Sequence, residues 1–326
     1  MVHRHFPLCL RLWSLLGIAL LIGCAFFDIV PGQVTDSGRK ATTAIPAMVT
    51  TEARLVSPTS AAFYDALKRA LKKRKTKLEA ICPTGDLVAR RVLEDYGAMF
   101  LANKKVKPPP VCVFTSEEQV TRFQEEAGYV RETVGDADIE LQAEAMKSLL
   151  KAREEAQKED LDITPRDGAE AARRNYEDSM RLWDTRFLPA LDYWQAQGRL
   201  TSEQVERLRN LPLNEQVAEV LNLERDGIYF SKDLSKSILY SIAAPGTSQH
   251  IAMLAFDVTE FQEPRVREIL ARHGWFQTVL SDLPHFTFLG LKEKDLPKQG
   301  LRKVEVDGQA FWIPNVPLSD LSPIRE

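Results

Sequence analysis

Neither sign of charge prevails in this sequence. Its 43 Lys and Arg stand against 46 Asp and Glu, and a net charge of −3 excludes any general pull toward nucleic acid, membrane surfaces or acidic polymers. The one basic cluster, Lys68-Arg69-Ala70-Leu71-Lys72-Lys73-Arg74-Lys75, reads as a solvated helix face, the alternative being contact with phosphate or an anionic wall polymer. Internal repeats are absent, which leaves out solenoid architectures. A hydrophobic share of 44% beside 27% charged residues excludes both a disordered chain and a membrane-embedded one. The apolar run Leu12 to Ile22 falls short of the roughly 20 residues that span a bilayer.

What precedes and follows that run gives it a meaning. His3-Arg4-His5 and Arg11 lie before it and Gly23-Cys24 after it, the layout of a secretory signal. Leu21-Ile22-Gly23-Cys24 also resembles a bacterial lipobox, which makes Cys24 a lipidation candidate. The alternatives are an ordinary signal peptide cut further on, or an uncleaved anchor extended through Phe27. On any of them the protein is exported, to the periplasm or cell envelope, and touches the membrane through an N-terminal lipid or signal anchor. Residues 1–24 are then the signal segment, and the small, polar, aperiodic stretch 25–58 is a flexible tether.

Cysteine is scarce. Of four, Cys9 and Cys24 belong to the leader, so Cys82 and Cys112 are the only pair in the mature chain. In an oxidising compartment they are a candidate disulfide, worth roughly 3–4 kcal/mol for a loop of about 30 residues. The alternative is two buried thiols that never meet.

Helical spacing of Phe63, Leu67, Leu71 and Leu78 predicts a helix over 61–80, and 86–96 predicts a second, capped by Thr84 or Asp86. Ala98-Met99-Phe100-Leu101 and, after three prolines, Val111-Cys112-Val113-Phe114 read as strands. Ser116 opens a further helix with a capping-box pattern toward Gln119. Together these make a small α/β module over 59–135. Residues 139–160 read as helix, with Leu141, Ala145, Leu149, Ala152 and Ala156 along one stripe, and 169–222 as a long helical region broken near Gln197-Gly198. Beyond Gly227 come short apolar strands at 228–230, 238–240, 254–258 and 286–289, and the tail 293–326 repeats that style at 304–306 and 311–313.

Histidine is scarcer still than its count of five suggests, since two lie in the leader. Of the remaining three, His250 and His285 fall in segments that also carry acids: Ser248-Gln249-His250-Ile251-Ala252-Met253-Leu254-Ala255-Phe256-Asp257 and Asp282-Leu283-Pro284-His285. His250 and Asp257 are seven apart across a turn and an incipient strand, so both can face one point, with His285 arriving from a neighbouring strand. Imidazole nitrogen and carboxylate oxygen are the donors that zinc favours, and a catalytic zinc keeps three protein ligands and one open position.

These segments resemble the VanY-type zinc D-alanyl-D-alanine carboxypeptidases, which carry Ser-x-His-x-x-Gly-x-Ala-x-Asp and, downstream, Glu-x-Trp-His. The first motif matches at Ser248, His250, Ala255 and Asp257 and departs at Met253, where the family has glycine. In the second, Asp282 stands for the glutamate and Pro284 for the tryptophan. Arg272-His273-Gly274-Trp275-Phe276 resembles the glycine-aromatic segment between them, and Arg166, in Ile163-Thr164-Pro165-Arg166-Asp167, is all that matches the family's Ser-Gly-Tyr-Arg-Ser.

The resemblance implies an α+β fold with a small antiparallel zinc-peptidase sheet over 139–292 and a helical insertion at about 176–225. It implies zinc held by His250, Asp257 and His285, with Asp282 as general base and Arg166 gripping the carboxylate of a peptidoglycan stem peptide. Ser248 then fixes the loop or supports a ligand. His273 is left between substrate contact and packing, and Arg166 between clamp and surface ion pair. The rival expectation is a non-catalytic wall-binding or scaffolding lipoprotein, favoured by the shorter Asp282, the proline and the lost context of Arg166. A zinc endopeptidase cutting cross-bridges is a third.

Overall fold

Apolar residues spaced for one helix face bury the first segment against its successors. The computed structural model describes residues 62–280 and 282–317, so the leader, the lipidation candidate Cys24 and the tether lie outside the described residues. Helix α1 (Ala62–Lys73) buries Phe63, Leu67 and Leu71 and leaves its lysines to solvent. The helix expected over 61–80 stops at Lys73, because Lys75 takes a left-handed backbone; a four-residue turn, α2 (Leu78–Ile81), follows. Helix α3 (Leu87–Tyr96) is capped by Asp86, whose carboxylate accepts from the Ala89 amide. The structure joins Cys82 to Cys112, with Cα atoms 5.3 Å apart.

The two strands expected before residue 115 are not strands. Gly97–Leu101 is a 3-10 helix, buried throughout, and 111–114 pairs only through single bonds, Cys112 N–H to the Ile81 carbonyl and Phe114 N–H to that of Gly246. A four-residue apolar run carries no period, so burial on all sides and strand geometry are indistinguishable from sequence. Helix α4 (Glu117–Ala127) starts at Ser116, whose hydroxyl accepts from the Gln119 amide; the Gln119 side chain reaches back to Thr115 rather than Ser116.

A hairpin of β1 (Val130–Val134) and β2 (Ala137–Leu141) precedes α5 (Ala143–Gln157). The helix expected from 139 therefore begins four residues later, with Leu141 closing the strand; Ala145, Leu149, Ala152 and Ala156 keep their common buried face. The long helical region resolves into α6 (Tyr176–Ala196), α7 (Ser202–Asn210) and α8 (Leu213–Arg225), with breaks at Gln197–Thr201 and Leu211–Pro212. Residues 228–230 form no strand, and Ile238–Tyr240 is another 3-10 turn.

The central sheet has three short antiparallel strands in the order β3 (Ala255–Asp257), β5 (His285–Phe288), β4 (Trp275–Phe276), with α9 (Pro264–Arg272) between β3 and β4 in sequence. A hairpin of β6 (Leu301–Val306) and β7 (Gln309–Pro314) closes the described chain. The fold is thus mixed α+β with small antiparallel sheets. One apolar core gathers Phe63, Phe100, Leu149, Phe256, Trp275 and Phe288; a second gathers the helical insertion around Trp183, Phe187 and Phe230. Helix α3 belongs to both, Leu93 facing the first and Val88 and Val92 the second. No helix among the described residues is long and apolar enough to cross a membrane.

Candidate metal centre

Three local devices bring His250, Asp257 and His285 together. The first is a tight turn. Successive bonds from Ile251, Ala252 and Met253 amides to the carbonyls of Ser248, Gln249 and His250 wind the chain, and Met253, at φ 54°, ends the winding in the left-handed region. That is how a helical turn is commonly terminated, ordinarily by glycine. The second device is the approach to this turn. Gly246, at φ 75°, lies so near the Phe114 carbonyl that a Cβ would come within 2.1 Å of its oxygen. The third is strand register: Asp257 in β3 lies directly opposite His285 in β5. Cross-strand partners hold their Cβ atoms about 4.5–5.5 Å apart, so both side chains share one face.

The result is a triangle of donor atoms. His250 Nε2 is 3.1 Å from His285 Nδ1 and 3.3 Å from Asp257 Oδ1, and His285 Nδ1 is 3.1 Å from that same oxygen. The two imidazoles are almost wholly buried.

Partners outside the triangle fix which nitrogens carry hydrogen. His250 Nδ1 lies 2.9 Å from the Ala172 carbonyl, which can only accept, so the proton sits on Nδ1. His285 Nε2 lies 2.9 Å from Gln249 Oε1. The amide of Gln249 cannot be reversed, because its nitrogen donates to the Tyr96 carbonyl at 2.8 Å while Oε1 also accepts from the Thr287 hydroxyl. His285 is therefore protonated on Nε2. Two imidazole lone pairs and a carboxylate oxygen then converge with no hydrogen between them, an arrangement that a cation relieves. The buried triad can hold a metal ion.

The electrostatics agree. Burial, reinforced by the Arg174 charge, lowers the His250 pKa to about 4, so the imidazole is neutral and available as a ligand. Burial works to raise the Asp257 carboxyl, but its two histidine neighbours outweigh it and the group stays well below the usual carboxylate range, the anion of the set. Its second oxygen is taken by Arg174 Nη2 at 2.6 Å, leaving Oδ1 for the triangle.

The expected site residues divide around this centre. Asp282 and Ser248 line a cavity of about 40 Å³ with His250, His285, Tyr96 and Arg174. Burial pushes the Asp282 carboxyl up, and it makes no hydrogen bond to the described residues. The Ser248 hydroxyl accepts from the His250 amide at 3.3 Å. Arg166 is tied to the site only by its backbone, which donates to the Asp257 carbonyl at 2.9 Å. Its guanidinium lies over the Phe261 ring and near Asp167, about half exposed and outside that cavity. His273 pairs with Glu155 at 2.7 Å, a packing position.

Arg174, Gln249 and Tyr96 are the site residues that sequence reasoning missed. Gln249 occupies a variable place within the His250 motif, so adjacency was its only signal. Arg174 and Tyr96 come from segments brought near by the fold alone. Comparison with protein-family models, curated proteins and solved structures finds no match for this chain.

Proposed function

We propose that this chain is a zinc-dependent carboxypeptidase of the D-alanyl-D-alanine type, exported and held at the cell envelope, acting on peptidoglycan stem peptides. One observation carries the reading: the triangle of His250 Nε2, His285 Nδ1 and Asp257 Oδ1, with edges of 3.1–3.3 Å and every outward hydrogen already committed. Zinc bonds of about 2.0–2.1 Å in a tetrahedron require donor separations of roughly 3.3–3.4 Å. The two-imidazole, one-carboxylate donor set fits the same ion, and the spacing of the motifs that supply it supports the family resemblance.

Zinc bound there would polarise a substrate carbonyl and bring the pKa of a coordinated water to about 7. The chain's own residues do the rest. Asp282 faces the same cavity with its carboxyl raised by burial, which suits a group that accepts a proton from the attacking water and delivers it to the leaving amine. Arg174 holds Asp257 in a one-oxygen geometry, and Gln249 holds His285 in its Nε2-protonated form. Arg166 reaches a substrate carboxylate only by leaving the Phe261 ring.

A second reading, a metal-holding wall-binding protein without turnover, draws support from the size of the cavity. At about 40 Å³, with Leu239 to Ala243 in its lining, it has room for water and little more. Metal analysis of the purified protein followed by digestion of stem peptides separates the two. The expected result is about one zinc per chain and release of the terminal residue, with Asp282→Asn retaining zinc and losing roughly 10²–10⁴-fold in turnover. A protein that holds zinc, cleaves no wall peptide and is indifferent to Asp282→Asn is the binding module.

A further inference from the structure

Seven of the ten residues from Lys68 to Lys77 are cations, and none is an acid. Elsewhere the chain pairs opposite charges one helical turn apart, as in Arg91–Asp95, Arg122–Glu118 and Lys158–Glu154. Helix α1 does the reverse. It sets Lys68 against Lys72 and Arg69 against Lys73, like charges that repel at this spacing. Lys72 and Lys73 lie in its last turn, where the helix dipole favours cations, but no such benefit reaches Lys68, Lys75 or Lys77.

The fold gathers this charge around one hollow. Lys68, Lys72, Lys75 and Lys77 line a shallow, open concavity of about 630 Å³, together with Leu71 and Leu78. Glu79 is the one acid in that lining, and its carboxylate already accepts from the Thr84 amide and hydroxyl. All four lysines are exposed, and among the described residues none has an ion pair or a side-chain hydrogen bond. Arg74 is bound to the carbonyls of Ala102 and Val106, and Arg69 to that of Lys298. These bonds bring the segments that carry Lys104 and Lys298 against α1, so the neighbouring elements add cations too.

We propose that this surface is a docking site for anionic phospholipid headgroups, by which the folded body lies against the membrane that anchors it. The membrane as partner rests on the reading of the protein as exported and held at the envelope; the affinity of the lysines for phosphodiesters does not. On that reading the anchor is the apolar run ending at Ile22, about 40 residues before α1 begins at Ala62. The body is therefore attached through the start of α1, and Lys68 lies six residues on, roughly 9 Å along the helix axis. Attachment there offers the lysines to headgroups at high effective concentration, so contacts too weak to recruit a free protein suffice. Each lysine adds to the attraction, which fades within a Debye length, about 8 Å at physiological salt. An ammonium is a point charge and needs no fixed phosphate orientation, which suits mobile headgroups.

The test places the full chain in nanodiscs of phosphatidylcholine alone and of phosphatidylcholine mixed with phosphatidylglycerol, and reads lysine acetylation rates by mass spectrometry. Lys68, Lys72, Lys75 and Lys77 are expected to react about tenfold more slowly in the anionic discs, and to recover in about 1 M salt, where the Debye length is about 3 Å. Lys232 and Lys236, outside the patch, keep their rates. Joint Lys72→Glu and Lys75→Glu replacement returns Lys68 and Lys77 to their neutral-disc rates, whereas nearness to the bilayer alone would leave them slow. Equal rates in the two discs, or slowing that survives the double replacement, overturns the inference. So does slowing by soluble poly(glycerol phosphate) in neutral discs with none from anionic lipid, which assigns the surface to a wall polymer. The anchor is read separately, by flotation with phosphatidylcholine vesicles in high salt. A chain that does not float there overturns the anchored reading, and acetylation with saturating phosphatidylglycerol vesicles then decides the patch by itself.

Discussion

Replacing Gln249 by leucine removes the group that sets the His285 tautomer without touching a donor atom of the triangle. In the native protein Gln249 Oε1 accepts from His285 Nε2 at 2.9 Å and its nitrogen donates to the Tyr96 carbonyl at 2.8 Å. Without that acceptor, the imidazole is free to carry its proton on Nδ1, where it blocks the metal. Loss of such an outer partner ordinarily weakens metal binding by about 10–100-fold, or ~1.4–2.7 kcal/mol at about 1.4 kcal/mol per decade. Folding stability falls as well, since the Tyr96 carbonyl and the Thr287 hydroxyl each lose a buried hydrogen bond to Gln249, at ~0.5–1.5 kcal/mol apiece.

Gln249→Glu separates the two effects. Its carboxylate still accepts from His285 Nε2 but sets an acceptor against the Tyr96 carbonyl, so stability falls while zinc affinity falls less than in the leucine variant. Affinity is read by competition with a chromophoric chelator. The imidazole ¹⁵N shifts of the metal-free protein report the tautomer directly. If folded Gln249→Leu binds zinc within twofold of the native protein, or its His285 stays protonated on Nε2, the hydrogen-bond logic of the site is wrong.

Met253→Gly should lower the denaturant midpoint, because relief of a left-handed backbone is worth ~1–2 kcal/mol while emptying a fully buried methionine site costs ~2–5 kcal/mol; a more stable glycine variant would contradict this. Burial pushes the Glu224 carboxyl up to about 7 beneath the Ile238 amide, which donates to it at 2.6 Å. The folded protein therefore keeps a proton that the unfolded chain has released above its ordinary value of 4.5, so this residue makes stability fall between about pH 4.5 and 7 and level off above. Melting temperatures from pH 5 to 8 should show a shallower decline in Glu224→Gln, and equal slopes would refute the assignment. Joint replacement of Cys82 and Cys112 by serine should cost ~3–4 kcal/mol on a chain-entropy estimate, and two reactive thiols in unreduced, denatured native protein would count against the bond.

What sequence reasoning could see follows the reach of each signal. The triangle was legible because His250 and Asp257 sit seven residues apart across one turn and His285 closes a second short motif with Asp282, although the register that pairs Asp257 with His285 spans 28 residues. Ala98–Leu101 and Phe286–Leu289 look alike as sequences, yet 97–101 is a 3-10 helix while 285–288 is the central strand of the sheet. The difference lies in neighbours, two strands for one and helices α1 and α3 for the other, and no residue in either run announces them. Arg166 drew attention by its place after a short apolar stretch, whereas Arg174, eight residues on, holds the ligand. The 3-10 turn Gly168–Ala171 lies between the two arginines, and a turn's course is set by contacts from both ends.

The departures from the resembled motifs also differ in what they perturb. Met253 replaces glycine where the backbone is left-handed, yet its side chain is fully buried, and the turn still delivers His250 to within 3.3 Å of Asp257. That substitution bears on stability and leaves the donor geometry intact. Asp282 and Pro284 lie on the other side of the ledger. The loop that carries them is pinned by two backbone bonds, Val258 N–H to the Pro284 carbonyl and His285 N–H to the Asp282 carbonyl, which fix His285 irrespective of the residue at 282. A carboxylate shorter by one carbon–carbon bond stands back by roughly 1.5 Å, and a misplacement of about 1 Å is enough to cost on the order of a hundredfold in rate. On the proposed carboxypeptidase reading, metal binding and turnover are therefore separable: the first would depend on the turn and the strand register, the second on how far Asp282 reaches.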